Sequence, residues 1–190
     1  GARAVLDALH ARDDVLLGIA TGKALRGVRH MQEMHGLEQM FATIQTADSA
    51  PSKPHPGMIL QAMAETGAHA DRTVMIGDTT FDIDMARAAG VASVGVTWGY
   101  HPREQLVASG AGRIIDALAS VLGGDSAGDV GSGTTGASGV ANDYSHAASQ
   151  GSPVLGDDVI ILAACEAEAQ LPTNPNVATD LFSACLTRPL

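Results

Sequence analysis

The chain has 190 residues, of which 45% are apolar and 17% are charged, and this composition is sufficient for a folded core. A formal net charge of −10 argues against binding to nucleic acid or to an anionic membrane. No apolar run reaches the ~18 residues that a membrane span needs, and two cysteines do not form a disulfide framework. We therefore expect a cytoplasmic protein, and because the chain opens on Gly1 we expect the natural amino terminus to lie upstream.

Apolar runs that resemble strands alternate with helix-like segments from residue 1 to residue 122. The predicted helices are 2–10, 24–35, 56–66, 81–89, 102–109 and 116–122, and the predicted strands are 15–20, 41–46, 74–76, 93–97 and 113–115. Strands that are separated by helices predict a Rossmann-like α/β fold, with a parallel sheet and helices on both faces. Right-handed crossovers would bring the carboxyl ends of the strands to one edge of the sheet.

The composition changes after residue 122. Residues 123–152 are rich in Gly, Ser, Thr and Ala, which predicts a flexible, disordered linker. Residues 159–165 form a further strand candidate, and 180–186 form a short amphipathic run. The sequence thus predicts three parts: a core at 1–122, a linker at 123–152 and a short α/β fragment at 153–190.

The most informative motif is TVMIGDTTFDIDM at residues 73–85. An apolar strand ends at Gly77, Asp78 follows directly, and Asp82 lies one helical turn further on. Two carboxylates at the carboxyl end of a strand suit Mg²⁺, which takes few protein carboxylates and keeps water or phosphate oxygens as its other ligands. The alternative is that Asp78 only caps the helix that follows.

Other polar residues follow the earlier strands. Thr21 and Gly22 end the first strand, and Lys53 follows the second. In a parallel sheet a hydroxyl, an ammonium and the carboxylates of Asp78 and Asp82 would converge at one edge. Backbone N–H groups at a helix start can hold phosphate oxygens, and a cationic side chain can offset the charge of a transferring phosphoryl group. The set predicts phosphoryl chemistry.

The stretches LLGIATGK, SKPHP and GDTTFDIDMARAAG, followed by GVTWGYHP, resemble the haloacid dehalogenase superfamily in its phosphoglycolate phosphatase-like branch. The resemblance covers about residues 3–122. It implies Mg²⁺-dependent hydrolysis of a small phosphate monoester through an aspartyl-phosphate. Phosphoglycolate is the substrate that the branch implies, while pyrophosphate and sugar phosphates stay open. The implied partner is a small phosphorylated metabolite, with no nucleic acid and no membrane.

The resemblance also implies roles for individual residues. Thr21 and Gly22 would bind phosphoryl oxygens, and Lys53 would bind phosphate and stabilise the phosphoaspartyl intermediate. Asp78 would be a metal ligand, and Asp82 would be the supporting acidic residue at the metal, acting through water or through Lys53. The simpler alternatives are a helix-capping Thr21, a solvated Lys53 and a surface Asp82.

One family motif is missing from this sequence. The family's nucleophile is the first Asp of an Asp-x-Asp motif that ends an earlier strand, and no Asp-x-Asp-Gly precedes Thr21. Asp13 and Asp14 precede their strand and so belong to the opposite edge of the sheet. The cap domain is absent as well, and the lost strand would normally be central. We therefore expect an incomplete core of low stability that is itself inactive, and whether this chain is an enzyme stays open.

Residues 159–190 resemble a different protein, a segment of the caspase-like domain of raptor, the scaffold subunit of the TOR kinase complex. The resemblance rests on LAACEA at 162–167, LP at 171–172, DLF at 180–182 and CLT at 185–187. It implies an alternative function as a non-catalytic scaffold that binds TOR-complex proteins. Cys165 and Cys185 are expected to be inert, because a reactive cysteine needs a positive environment.

Overall fold

The computed structural model describes residues 2–122 together with the backbone of residues 159–163. The helices are α1 (Ala2–His10), α2 (Leu25–His35), α3 (Gly57–Thr66), α4 (Thr80–Ala89) and α5 (Arg103–Ala108). The strands are β1 (Val15–Thr21), β2 (Thr43–Thr46), β3 (Thr73–Gly77), β4 (Ala92–Val96), β5 (Arg113–Ile115) and β6 (Val159–Ala163). Short 3₁₀ turns lie at Ala70–Arg72 and Leu118–Leu122.

The strands form one parallel sheet of six strands in the order β2-β1-β6-β3-β4-β5. The predicted α/β fold with a parallel sheet is therefore confirmed. Each of the strands β1 to β5 lies within a few residues of its predicted position. The segment predicted as a closing helix at 116–122 is instead a 3₁₀ turn at Leu118–Leu122.

Helices cover both faces of the sheet. Side chains alternate between the two faces along each strand, and both faces carry apolar residues that pack against helices. One core cluster joins strand residues such as Leu17, Ile19 and Ile76 to α1 and α2. The second cluster joins Ala20 and Met75 to α3 and α4. These two clusters hold the sheet at a fixed distance from its helices, and so they fix the loops at the strand ends.

The place of β6 differs from what the sequence led us to expect. The strand predicted at 159–165 is present at Val159–Ala163, but its backbone lies in the middle of the sheet, between β1 and β3. The central position that we expected to be lost is therefore taken by a strand from the end of the chain. The predicted linker at 123–152 and the other residues of the predicted 153–190 fragment lie outside the described residues.

No helix within residues 2–122 is long and apolar enough to cross a membrane.

Candidate active site at the carboxyl edge of the sheet

The polar residues singled out from the sequence lie at or beyond the carboxyl ends of the strands. Thr21 is the last residue of β1, Asp78 follows the last residue of β3, and Lys53 lies in the loop between β2 and α3. All the strands run parallel, so these ends share one edge of the sheet. In open α/β sheets this edge is where ligands bind.

Lys53 and Asp82 form a buried ion pair at this edge. The Lys53 Nζ donates to Asp82 Oδ1 at 2.7 Å, and the two side chains are 3% and 0% exposed. Two charges are removed from water here, which is costly unless each has its partner in good geometry. Lys53 is therefore not a solvated loop residue, and Asp82 is not a surface residue.

The second carboxylate oxygen of Asp82 holds the start of α4. Thr79 is the N-cap residue, and its backbone N and Oγ1 donate to Asp82 Oδ2 at 3.1 and 2.8 Å. In return the backbone N of Asp82 donates to Thr79 Oγ1 at 3.3 Å, which completes a capping box. The cap is thus Thr79, one residue beyond Asp78. Both oxygens of Asp82 have partners within the protein.

Asp78 is fully buried and only half satisfied. Its Oδ2 accepts from the backbone N of Tyr100 at 2.8 Å, whereas its Oδ1 is a buried atom without a hydrogen-bond partner in the described part of the chain. Burial raises the pKa of Asp78 above its usual range, and the negative charge of Asp82 adds to that rise. A buried carboxylate oxygen with no donor is a place where a cation would be stabilising.

The donor set around Asp78 fits magnesium better than a transition metal. Within the described residues, no three His, Cys, Asp or Glu side chains come together as a ready-made metal cluster. Mg²⁺ does not need such a cluster, because it binds through one or two carboxylates and completes its shell with water and phosphate oxygens. Asp78 Oδ1 is the atom of this site that would hold it.

Two glycines make the close packing around these carboxylates possible. A Cβ atom on Gly77 would overlap the Cβ of Asp82, and a Cβ on Gly99 would overlap the Cβ of Asp78. Any side chain at either position would push a carboxylate out of place. Gly77 was part of the predicted motif, but the role of Gly99 emerges only from the structure.

Thr21 lies on the other side of β6 from Asp78. Its side chain is buried, and its Oγ1 accepts from the backbone N of Lys23 at 3.2 Å, across Gly22. The two strands that carry Thr21 and Asp78 are separated by one strand, and so their axes lie about 10 Å apart. The threonine turn and the Asp78 loop therefore flank the end of the central strand.

His101 is a site neighbour that the sequence did not single out. Its Nδ1 accepts from the backbone N of Thr80 at 2.9 Å, and its own backbone N donates to the carbonyl of Asp78 at 3.0 Å. Its ring also contacts Phe81 and Tyr100. His101 thus ties the loop after β4 to the start of α4. The GYHP stretch carried this signal, but only tertiary structure shows what the histidine holds.

Comparison with known proteins gives a consistent result. The family model for haloacid dehalogenase-like hydrolases matches residues 1–96. The probable phosphatase IndB of Dickeya dadantii is 44% identical over 108 residues, which cover 56% of this chain and 47% of that protein. A phosphoglycolate phosphatase of Rhodospirillum rubrum is 35% identical over 122 residues, covering 64% of this chain and 50% of that protein.

Among solved structures, a predicted phosphoglycolate phosphatase from Haemophilus somnus superposes with a TM-score of 0.59 at 29% identity, over 63% of this chain and 53% of that one. The chain spans about half the length of the curated relatives it matches. The family match and the buried Asp78, Asp82 and Lys53 set at the sheet edge lead to one conclusion: the chain belongs to the haloacid dehalogenase-like hydrolases.

Proposed function

We propose that this chain carries the metal- and phosphate-binding part of a Mg²⁺-dependent phosphatase. The observation that carries the proposal is the buried Asp78 Oδ1, which has no hydrogen-bond partner among the described residues and lies beside the buried Lys53–Asp82 pair. Such a site combines one free anionic oxygen with a fixed positive charge. It can receive a cation and a phosphoryl group together, and a purely structural ion pair would not need the free oxygen.

The proposed substrate class is a small phosphate monoester of the phosphoglycolate type. Relatives that are named as phosphoglycolate phosphatases support this choice, since they match more than half of the chain. The chain carries −10 overall, so binding of an anionic substrate requires local positive charge at the site. Lys53 supplies part of that charge at the site.

Each residue of the chain has a separate task in this proposal. The Thr21 hydroxyl and the backbone after Gly22 bind phosphoryl oxygens, and the Lys53 ammonium offsets the charge that develops on the transferring group. Asp82 holds Lys53 at 2.7 Å and does not need to touch the metal, because both of its oxygens have protein partners. Its proposed place at the metal is therefore indirect, through Lys53.

Magnesium at Asp78 would neutralise phosphate oxygens and so favour attack on phosphorus. The attack itself needs a carboxylate nucleophile, which would form an aspartyl-phosphate. The sequence holds no Asp-x-Asp-Gly before Thr21. We propose that the 190-residue chain binds magnesium and phosphate but does not turn over substrate, and that a longer form with the nucleophile does.

Thermal unfolding of the full chain with increasing MgCl₂ and inorganic phosphate tests this proposal. We expect Mg²⁺ to stabilise the wild type by about 1.4 kcal/mol at ten times its dissociation constant, and not to stabilise Asp78→Asn. The matched control is Asp13→Asn, an exposed carboxylate at the opposite edge of the sheet, which should keep the full Mg²⁺ response.

Phosphate binding and turnover are read in the same samples. Thr21→Val should weaken inorganic phosphate binding and leave Mg²⁺ binding intact. Equal Mg²⁺ responses in wild type and Asp78→Asn would overturn the metal assignment. Sustained Mg²⁺-dependent release of phosphate from phosphoglycolate by the 190-residue chain would overturn the proposed inactivity.

The TOR-scaffold alternative stays a prediction. The residues that carry the raptor resemblance, apart from the backbone of 159–163, lie outside the described structure.

A further inference from the structure

The central strand of the sheet comes from the far end of the chain. Five residues of β6 pair with β1, from Val159 opposite Val15 to Ala163 opposite Ile19. On its other side, residues 160–163 pair with residues 73–76 of β3. In the described sheet β1 and β3 pair with β6 and not with each other. This one strand therefore joins the β2-β1 half to the β3-β4-β5 half.

The connection to β6 is unlike the other connections between neighbouring strands. Residues 22–42 join β1 to β2, and residues 78–91 join β3 to β4, each through one helix. Residues 116–158 lie between β5 and β6, although β6 is not next to β5 in the sheet. Within the described residues, backbone pairing with β1 and β3 holds β6 in its place, and no short crossover joins it to either neighbouring strand.

The slot between β1 and β3 selects for a particular kind of strand. The neighbouring strands line it with buried apolar side chains on both faces of the sheet: Leu17, Ile19, Val74 and Ile76 on one face, Ala20 and Met75 on the other. The sequence of β6, VIILA, has no charge and begins with three β-branched residues. Uninterrupted apolar runs of this kind are typical of parallel strands that are covered on both faces.

We propose that the slot between β1 and β3 is a peptide-binding site, and that residues 159–163 occupy it as a detachable strand. Its ligand class is an extended peptide whose paired residues are uncharged and mainly β-branched, and which runs parallel to β1 and β3. Binding is by strand addition, with main-chain hydrogen bonds on both sides of the ligand. We expect the same strand, supplied as a separate peptide, to bind in the slot when residues 159–163 do not occupy it.

The slot lies between the strand of Thr21 and the strand of Asp78. Occupancy of the slot therefore sets the separation of these two residues. The strand-binding inference does not depend on the proposed phosphatase function, because it is read from unfolding and exchange alone.

The test uses the full chain with Ile161→Pro, and Ile161→Val as the matched control. Proline lacks the N–H that a central strand must donate and is not tolerated there. We expect Ile161→Pro to lower the unfolding midpoint by roughly 10 °C. Hydrogen exchange should become faster at the amides of 15–19 and 73–76, while Ile161→Val stays near the wild type.

A synthetic peptide of residues 157–164 is then added to the Ile161→Pro chain. We expect a dose-dependent return of the midpoint and of slow exchange in β1 and β3, and no effect from the same peptide carrying proline at position 161. Unchanged exchange in Ile161→Pro would overturn the placement of the strand. Failure of the peptide to restore slow exchange in a chain that still unfolds cooperatively would overturn the binding site.

A second measurement covers the case in which Ile161→Pro does not fold. A specific protease site is inserted at residues 135–140 of the otherwise wild-type chain, which is then cut without denaturant. We expect native mass spectrometry to show the carboxyl-terminal piece still bound, and to show its release by excess peptide of residues 157–164. A piece that leaves at once, with the remainder unchanged in unfolding midpoint, would overturn the proposal.

Discussion

Replacing Lys53 by methionine should destabilise the protein strongly, because it leaves the buried carboxylate of Asp82 without its cationic partner. Methionine keeps most of the length of the lysine side chain but lacks the terminal ammonium, with its charge and its N–H donors. Asp82 would keep its two bonds from Thr79 but would lose the Nζ contact at 2.7 Å, inside a pocket where its side chain is 0% exposed. The loss therefore reports on an uncompensated carboxylate and not on packing.

The magnitude follows from the geometry of the pair. With an effective dielectric constant of about 20, opposite charges at this separation attract by about 6 kcal/mol before the cost of desolvation. Breaking a buried pair by removing one partner typically costs about 3–5 kcal/mol. We expect a loss near the lower figure, because Asp82 keeps two donors, and this is a large fraction of the ~5–15 kcal/mol that stabilises a domain.

Urea unfolding followed by circular dichroism measures this loss as a fall in midpoint at constant slope. Arg29→Met removes one positive charge from an exposed site on α2 and should cost less than about 0.5 kcal/mol. The double variant Lys53→Met with Asp82→Asn should recover about 2–3 kcal/mol relative to additivity, since no charge is left unpaired. Equal small losses in Lys53→Met and Arg29→Met would refute the reasoning.

Three further predictions concern Asp78 and its surroundings. Without metal, Asp78→Asn should raise the free energy of unfolding by about 1–2 kcal/mol, because it removes a buried charge that lacks one donor among the described residues. Chemical unfolding in EDTA measures this change, and a loss of stability would contradict the prediction. The pKa of Asp78 is raised in the folded state, so at a pH between 3.8 and the raised pKa the folded protein holds a proton that the unfolded chain has released. The free energy of unfolding of the metal-free protein should therefore fall as pH rises through this range. A pH series should show this slope in the wild type, and a slope of equal size in Asp78→Asn would assign it to another group. Gly99→Ala should cost about 1–3 kcal/mol and weaken Mg²⁺ binding, because the new methyl group overlaps Asp78, whereas unchanged stability and Mg²⁺ affinity would show that the loop has room.

Much of the fold could be predicted from local patterns. The apolar runs that became β1 and β3 are bounded by glycine and polar residues, and strand–helix alternation leaves few architectures other than a parallel sheet. Boundaries moved by a residue or two because helix ends depend on caps. At α4 the cap is Thr79, and the Thr-x-x-Asp spacing of a capping box was visible in the sequence.

The position of β6 could not be predicted in the same way. The sequence predicted a strand at residues 159–165, but the order of strands in a sheet is set by tertiary packing. Chain order gave no reason to place the last of the described strands in the middle. The expectation of an incomplete core followed from counting strands only within residues 1–122. A sheet with all six strands paired does not carry that reason for low stability.

The residues of the candidate site could be predicted from the sequence, but their individual contacts could not. Thr21, Lys53, Asp78 and Asp82 were identified because parallel strands bring their ends together, which is a property of the whole fold class. The sequence could not show that the two aspartates have different roles. Asp82 has both oxygens engaged, by Lys53 and Thr79, whereas Asp78 has one oxygen bonded to the Tyr100 backbone N and one without a partner among the described residues.

The central claim is that the site binds a divalent cation at Asp78 and, at the same time, a phosphate near Thr21 and Lys53. Phosphorus NMR relaxation of inorganic phosphate, with Mn²⁺ in place of Mg²⁺, measures this directly. We predict that the wild-type chain enhances phosphate relaxation well above Mn²⁺ alone, that excess Mg²⁺ reverses the effect, and that Asp78→Asn abolishes it while Asp13→Asn does not. Equal enhancement by wild type and Asp78→Asn would contradict the account.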